Sequence, residues 1–439
     1  MVKLKIEKLV DGGQGIAHEN DYTYFIWNAL PGEEVEAEII NKRKGIYECL
    51  AVNFVKPSPH RIKPNEDHFL SCSAWAMMDI DYENEMKKEA ANETYRRIGG
   101  ISVGAGLAPA KKGQPQGLPL QIETNNVESG YRNKMEFSFV EGVDEKISLA
   151  FFKRGQKVRI PIESCELATD AINDTAKKIL DWVNSTSLTM RNMKALIVRS
   201  NMKGETVAGL FIKDKLTFDN YPMLDKKFIG FNLYYSTHKS PASVITEVLY
   251  QKGQDFLIEE IAGKQFKYGI NSFFQVNIPV FEMALKDISD SIRENSQNSS
   301  NSRIIDFYSG VGAIGLSIGA NQLVESNMEA VSFAQENIGL NKIGNCEATL
   351  SPAEKALDYI EKDKTIIFDP PRAGLHDKVL DRLIEVTPKK IIYLSCNIAT
   401  QARDISILKD KYDIKFMKLY NFFPRTPHIE ALVVLELTK

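Results

Sequence analysis

The sequence predicts a multidomain α/β protein: a small N-terminal β-barrel, a central α+β domain and a C-terminal doubly wound, Rossmann-like sheet. Three observations predict it. Residues 1–59 form short alternating runs separated by turn residues, strands with a single helix fill most of 60–265, and from 266 to 439 apolar strands alternate with helices. A chain of 439 residues holds roughly two to four domains.

In the first segment Lys3–Val10 alternates, a Gly-rich turn runs to Gly15, and Tyr22–Trp27, Glu34–Ile40 and Ile46–Val55 supply further strands. Pro57, Pro59 and Pro64 mark a linker. Tyr82–Ile98 has helical spacing and ends at Gly99-Gly100. The Gly- and Pro-rich segment 104–119 reads as a mobile loop. Strands are predicted over Tyr131–Val140, Ile147–Phe152 and Lys157–Ile162, then a helix over Asp170–Val183. Four more strands run through Ala195–Ser200, Thr206–Ile212, Asn232–Ser236 and Val244–Tyr250. In the last third, the helix and lead-in Phe273–Arg293 and a polar linker over 294–302 precede six strands. Those are Arg303–Phe307, Gln322–Val324, Thr365–Phe368, Lys390–Leu394, Ile414–Leu419 and Ala431–Leu437, the pattern of a mostly parallel sheet.

Composition excludes several classes. With 43% hydrophobic and 26% charged residues the chain is neither disordered nor collagen-like. No run of apolar residues is long enough for a membrane span. Met1–Lys8 alternates charged and aliphatic residues without a signal-peptide core. Five scattered cysteines point to a reducing, cytoplasmic setting rather than a disulfide framework. The net charge of −3 offers no general positive field for nucleic acid.

Four segments carry chemistry. Ile304-Ile-Asp306-Phe-Tyr308-Ser-Gly310-Val-Gly312-Ala-Ile-Gly315 is a strand, a Gly-rich turn and a helix start, with Glu325 ending the next strand. This suits an adenosine ribose in a dinucleotide enzyme or in an S-adenosylmethionine methyltransferase; Asp306 inside the strand favours the second. Asp369-Pro-Pro-Arg372 follows an apolar strand, at the edge where such sheets gather substrates. Ser395-Cys396-Asn397 ends the next strand at the same edge. Taken singly, a cysteine there is more often a small buried hydrophobe than a nucleophile. Pro427-His428-Ile-Glu430 opens a strongly apolar strand, a poor place for a charge without a task.

Together, in this order, the four segments resemble the RNA uridine-C5 methyltransferases, which make 5-methyluridine in rRNA and tRNA. The resemblance extends over nearly the whole chain. Lys8-Leu-Val-Asp-Gly-Gly-Gln-Gly-Ile-Ala17 is similar to a TRAM domain, an OB-like RNA-binding barrel. Tyr131-Arg132-Asn-Lys134 and Phe274-Gln275-Val-Asn277 are similar to two further family motifs. The resemblance implies Cys396 as nucleophile, Glu430 as base, and Gln275, Tyr308, Gly310, Glu325 and Asp369 as contacts to S-adenosyl-L-methionine. It also implies a chemistry that suits these residue types. Carbon 5 of uracil is not nucleophilic, so a thiolate adds at carbon 6 and the resulting enolate takes the methyl group. A base then removes the proton at carbon 5, and the cysteine leaves. Phe423, Arg425 and His428 would help to hold the extruded base.

In one respect the chain departs from the resemblance. Many ribosomal members carry four cysteines for an iron–sulfur cluster, whereas here only Cys72 and Cys165 match, with Glu66 and Trp75 at the other places. Two thiolates do not supply four-cysteine ligation, so no cluster and no other metal is expected, and Trp75 is expected to pack in that space. For RNA contact the clearest stretch is Lys146–Arg159, where Lys153, Arg154, Lys157 and Arg159 flank Phe151-Phe152. Arg132, Lys134, Arg372, Arg425 and His428 complete the expected contacts. Residues 100–270 hold 23 Lys+Arg against 19 Asp+Glu, so any RNA surface must be local. The expected partner is 23S rRNA, with tRNA as the alternative and no protein partner implied. A catalytically silent RNA-binding or chaperone protein is the rival from another class, and intact Cys396 and Glu430 argue against it.

Overall fold

The computed structural model describes residues 1–10, 12–101, 120–142, 146–293 and 303–438. The expected loop over 104–119 and the linker over 294–302 lie outside them. The chain forms two compact units, the first made of Met1–Glu83, Val127–Leu257 and Pro424–Pro427. The second comprises Asn84–Asn126, Ile258–Phe423 and His428–Lys439. No helix among the described residues is long and apolar enough to cross a membrane.

The first unit contains two larger sheets. The N-terminal one has six strands in the order Val2–Lys5, Glu34–Arg43, Ile46–Lys56, Tyr22–Trp27, Gly15–Glu19 and Lys8–Leu9. Alternation puts Leu4, Ile26, Val35, Ala37, Cys49 and Ala51 of these strands into one apolar cluster, as a period-2 pattern requires. The second sheet has seven strands, Lys134–Glu141 lying between Ile147–Phe152 and Met193–Ser200. The helix Asp170–Asn184 agrees with its sequence pattern and buries Ile172, Ala176, Ile179 and Val183. Near the start of this unit the Trp75 indole N–H donates to the Gly13 carbonyl at 3.1 Å. The metal-ligating side chains gathered around Cys72 and Cys165 are Glu66, at one of the expected places, and His68, a histidine the sequence reading did not single out.

The second unit is built on an eight-stranded sheet. Its order is Glu347–Leu350, Gln322–Glu325, Ile304–Phe307, Thr365–Phe368, Lys390–Ser395, Glu430–Leu437, Tyr412–Tyr420 and Gln121–Glu123. All neighbours pair in parallel except on the two sides of Glu430–Leu437, which runs against Lys390–Ser395 and Tyr412–Tyr420. The central strands Ile304–Phe307, Thr365–Phe368 and Lys390–Ser395 are buried along their whole length, which is why they read as unbroken apolar runs.

Two strands of this sheet escape the sequence pattern. Glu347–Leu350 is a four-residue edge strand with exposed ends. Gln121–Glu123 is three residues long and is recruited in parallel beside Tyr412–Tyr420, a pairing of remote segments that carries no local signal. The hairpin Phe256–Ile261 and Lys264–Gly269 was likewise not anticipated. The predicted helix Tyr82–Ile98 runs as Ile80–Thr94 and finishes in a π-turn, Tyr95–Gly99, before Gly100 at φ 61°.

Candidate active site

Register brings the candidate residues to one edge. Phe307 pairs with both Val324 and Phe368, so Tyr308, Glu325 and Asp369 each stand one residue beyond that paired row, Glu325 as the last residue of its strand. Phe368 pairs with Tyr393, and Cys396 follows the end of that next strand. Because Glu430–Leu437 runs the other way, its first residue falls at the same edge. The pairing of Ser395 with Ala431 sets Cys396 across from Glu430. Every group came from a different stretch of sequence, and the parallel sheet with one reversed strand aligns them.

The cofactor end is shaped by the Gly-rich turn. Tyr308 adopts φ 60° and Gly310 φ 54°, a reversal that sends the chain from strand into helix. Glu325 Oε2 accepts the Gly310 N–H at 3.0 Å, and its other oxygen accepts the Asn327 N–H at 2.7 Å. Asp306, fully buried, accepts the Gly315 N–H at 2.8 Å through Oδ2, while Oδ1 has no hydrogen-bond partner. Burial drives this carboxyl well above the usual range; the Gly315 N–H opposes, and Asp369 and Glu325 add to the rise. A Cβ on Gly315 would lie 2.4 Å from Leu323 Cδ2 and 2.7 Å from Asp306 Oδ2. Gly315→Ala is therefore expected to cost about 1–3 kcal/mol, read as a lowered Tm; an unchanged Tm would mean that helix and strand separate freely here.

The reaction end is crowded with carboxyls. Gln275, buried, donates through Nε2 to Asp369 Oδ2 at 3.4 Å. Burial pushes Asp369 up to about 7. Glu430 is 4% exposed and its Oε2 makes no hydrogen bond. Desolvation raises its pKa well above the usual range, Asp369 adds to the rise, and Arg372 opposes it. Cys396 is half-buried and free, and burial, helped by Glu430 and Asp369, pushes its thiol up to about 11, with Arg372 pulling it down. Burial thus favours the neutral forms of these groups, and Arg372 is the cation that opposes the rise at both Cys396 and Glu430.

Arg372 is held in place by its backbone. Its carbonyl accepts from Asn397 Nδ2 at 2.8 Å and Thr400 Oγ1 at 3.2 Å, while Asn397 Oδ1 caps the helix Ile398–Leu408 through the Ala399 and Thr400 N–H groups. Asn397, next to the candidate nucleophile, therefore ties the Asp-Pro-Pro-Arg loop to the helix that follows Cys396. Buried Asp404 accepts from the Leu375 N–H at 2.9 Å and the Tyr393 hydroxyl at 2.8 Å, fixing the far end of the loop. Neither role was visible in sequence, because Asn and Asp in a helix pattern read as surface. Arg372 Nη2 lies 3.5 Å from His428 Nδ1, and His428 meets Phe423 edge-on at 6.1 Å.

The remaining expected RNA contacts lie in the first unit. Arg132 pairs its N–H with Leu167 O, and Lys134 starts a strand opposite Arg199. Lys153 closes the turn to Val158, and the Arg159 guanidinium covers the exposed Phe152 ring at 5.0 Å. Arg154 donates to the Leu70 carbonyl at 2.8 Å and lies over Trp27. Arg425, at φ 66°, donates to the Met78 carbonyl and Glu128, while Glu83 accepts its backbone N–H. These bonds occupy Arg154 and Arg425 within their own unit.

The groups at this edge fit S-adenosyl-L-methionine: a Gly turn without side chains, a carboxylate at the end of the second strand, and an acid beside the candidate nucleophile. Comparison with known proteins agrees. The sequence model of the tRNA (Uracil-5-)-methyltransferase family matches residues 120–438. An uncharacterized RNA methyltransferase of Fusobacterium nucleatum is 29% identical, over 99% of this chain and 96% of its own. One from Bacteroides thetaiotaomicron is 29% identical, over 97% of this chain and 99% of its own. The crystal structure of Pyrococcus abyssi tRNA (uracil-54, C5)-methyltransferase in complex with S-adenosyl-L-homocysteine shares the fold, with a TM-score of 0.77 at 22% identity over 99% of this chain and 100% of that one. The chain belongs to the tRNA (uracil-5-)-methyltransferase family and is an S-adenosyl-L-methionine-dependent RNA (uracil-C5)-methyltransferase.

Proposed function

We propose that this enzyme methylates carbon 5 of a specific uridine in 23S rRNA through a covalent adduct between Cys396 and carbon 6 of the base. The observation that carries the chemistry is the pairing of Ser395 with Ala431, which sets a thiol against a buried carboxyl at the edge where Asp369 ends its strand. Bound S-adenosyl-L-methionine supplies an electrophilic methyl group on a cationic sulfur. Gln275 orients Asp369, and Glu325 holds the Gly turn for the nucleoside. Arg372 favours both the thiolate of Cys396 and the ionised form of Glu430, whose protons pass to solvent before reaction, so that Glu430 as a carboxylate takes the proton from carbon 5 before the cysteine leaves. Phe423, His428 and Arg372 form one wall for a flipped base, while Arg425 holds its own loop in position.

The rRNA assignment rests on the first 59 residues, read as a TRAM-like RNA-binding unit, with residues 60–265 and 266–439 as the RNA-binding and catalytic domains. Arg132, Lys134 and Lys153 serve the central surface, and Arg154, bound to the Leu70 carbonyl, holds that surface in shape. A tRNA target is the second reading, favoured by the name of the matching family and of the Pyrococcus relative. Mapping 5-methyluridine in total RNA from a deletion strain decides: loss from 23S rRNA supports the first reading, loss from tRNA alone replaces it.

The raised pKa of Asp369 makes a further prediction. A carboxyl titrating at about 7 in the free enzyme ionises more readily beside a cation, so the complex has the lower pKa and binding tightens as pH rises. Affinity for S-adenosyl-L-methionine is expected to increase about tenfold between roughly pH 6 and pH 8. Titration calorimetry checks this, and Asp369→Asn should bind more weakly with a flat profile. A flat profile in the unaltered enzyme would remove Asp369 from the cofactor site.

A further inference from the structure

Outside the active site the first unit gathers four metal-ligating side chains of mixed type: Glu66, His68, Cys72 and Cys165. One ligand atom from each lies within 4.8 Å of all the others. Tetrahedral bonds of ~2.0–2.3 Å to a common centre place ligand atoms about 3.3–3.8 Å apart, so a small contraction around an ion closes the set. Both cysteines are free thiols rather than a disulfide. His68 Nε2 is buried and makes no hydrogen bond, although Glu66 Oε2 lies 3.2 Å away.

The surroundings hold these groups as a metal site's second layer does. Glu66 is anchored through Oε1, which accepts the Glu166 N–H at 2.7 Å, while Oε2 turns into the cluster, accepting from the Cys72 thiol at 3.8 Å and lying 3.2 Å from His68 Nε2. Cys165 is clamped through its backbone, its N–H donating to Asn173 Oδ1 and its carbonyl accepting from Asn173 Nδ2, both at 3.1 Å. The His68 ring packs on Phe151 at 5.7 Å between centroids. Arg154 lies within electrostatic reach of Cys72, placing a positive charge near that thiol.

The donor set decides the metal. A cubane iron–sulfur cluster asks for four thiolates, and these residues offer two. Two sulfurs, one imidazole nitrogen and one carboxylate oxygen in a small tetrahedral cage suit a single zinc ion and leave it no open position. We propose that Glu66, His68, Cys72 and Cys165 bind one structural Zn²⁺. Binding releases the two thiol protons and any proton carried on the ligating His68 nitrogen, and changes no oxidation state. The ion joins the segment around the short helix Phe69–Cys72 to a residue about a hundred positions later, so it acts as a cross-link of the first unit.

The experiment reads metal and stability rather than methylation, so its outcome is independent of the RNA target and of the Cys396 chemistry. Full-length protein purified under reducing conditions with added zinc should carry one zinc per chain by elemental analysis. Dipicolinate should remove it and lower Tm by about 5 °C or more. Cobalt put in place of zinc should give a thiolate-to-cobalt absorption, a readout on the unaltered chain that needs no variant to fold. Cys72→Ser and His68→Ala should lose zinc, and Cys346→Ser should keep it. The proposal is overturned by any of three results: a chain that binds no zinc and has the same Tm with and without chelator, stoichiometric iron with sulfide, or full zinc content in both Cys72→Ser and His68→Ala.

Discussion

Cys396→Ala is expected to abolish methyl transfer, by about a thousandfold or more, and to remove the covalent adduct that 5-fluorouridine-containing RNA forms with the unaltered enzyme. Fluorine at carbon 5 blocks the final proton abstraction, so an enzyme that works through Cys396 is caught as a protein–RNA conjugate stable to denaturation. Adduct formation should also report the state of the thiol. Burial pushes it up to about 11, with Glu430 and Asp369 adding to the rise, while Arg372 lowers it. The rate of adduct formation therefore rises with pH through the neutral range, and Arg372→Ala slows it at every pH. Gel-shift kinetics at several pH values measure both. An adduct of undiminished yield in Cys396→Ala would move the nucleophile elsewhere.

Glu430→Gln separates catalysis from stability. Turnover should fall by about 10²–10⁴-fold, the range for loss of a general base, with methylated RNA accumulating as a conjugate because the last proton stays on carbon 5. Stability should move the opposite way. The folded protein holds Glu430 protonated well above the ordinary glutamate value of 4.5, mainly by desolvation, whereas the unfolded chain ionises it near that value. Folding therefore takes up a proton here, and this residue's contribution to stability declines as pH rises above that value. Glutamine escapes the penalty. The variant should melt above the unaltered protein at about pH 8, with the gap narrowing toward about pH 5. A melting curve that moves down at both values would mean that Glu430 is a structural partner rather than a strained functional acid.

How far the sequence reached follows from the range of its signals. Fully buried parallel strands such as Thr365–Phe368 and Lys390–Ser395 announce themselves as apolar runs, and the residue that matters follows directly on the end of each. The Asp-Pro-Pro-Arg, Ser-Cys-Asn and Pro-His-Ile-Glu segments could therefore be assigned to one edge from their order alone. Short strands whose pairing depends on remote neighbours, Gln121–Glu123 and Glu347–Leu350, left no such mark. The same limit hid Asn397 and Asp404, whose polar side chains bind backbone in a loop contributed by other residues.

The Arg154 and Arg425 side chains make the point in the opposite direction. In sequence they are two cations among aromatics, a pattern that reads as RNA contact. In the structure their guanidinium groups are taken up by Leu70 O, Met78 O and Glu128, with Trp27 beneath one of them. Charge is a property of a residue, but availability is a property of its surroundings.

The sequence by itself determined the chemistry available to this protein: a thiol, a base, an acid beside two prolines, a Gly turn, and only two of the four thiols that a cubane cluster asks for at the expected places. Those are local facts, carried by residue identity and by the spacing that makes strands and helices. Only the tertiary structure decided which of them meet. The antiparallel pairing of Ser395 with Ala431 turned two remote motifs into one site, and the folding of the first unit brought Glu66 and His68 together with the two cysteines. The physical reason is that strand register and side-chain convergence are settled by burial across the whole core, a sum over contacts that no short segment contains.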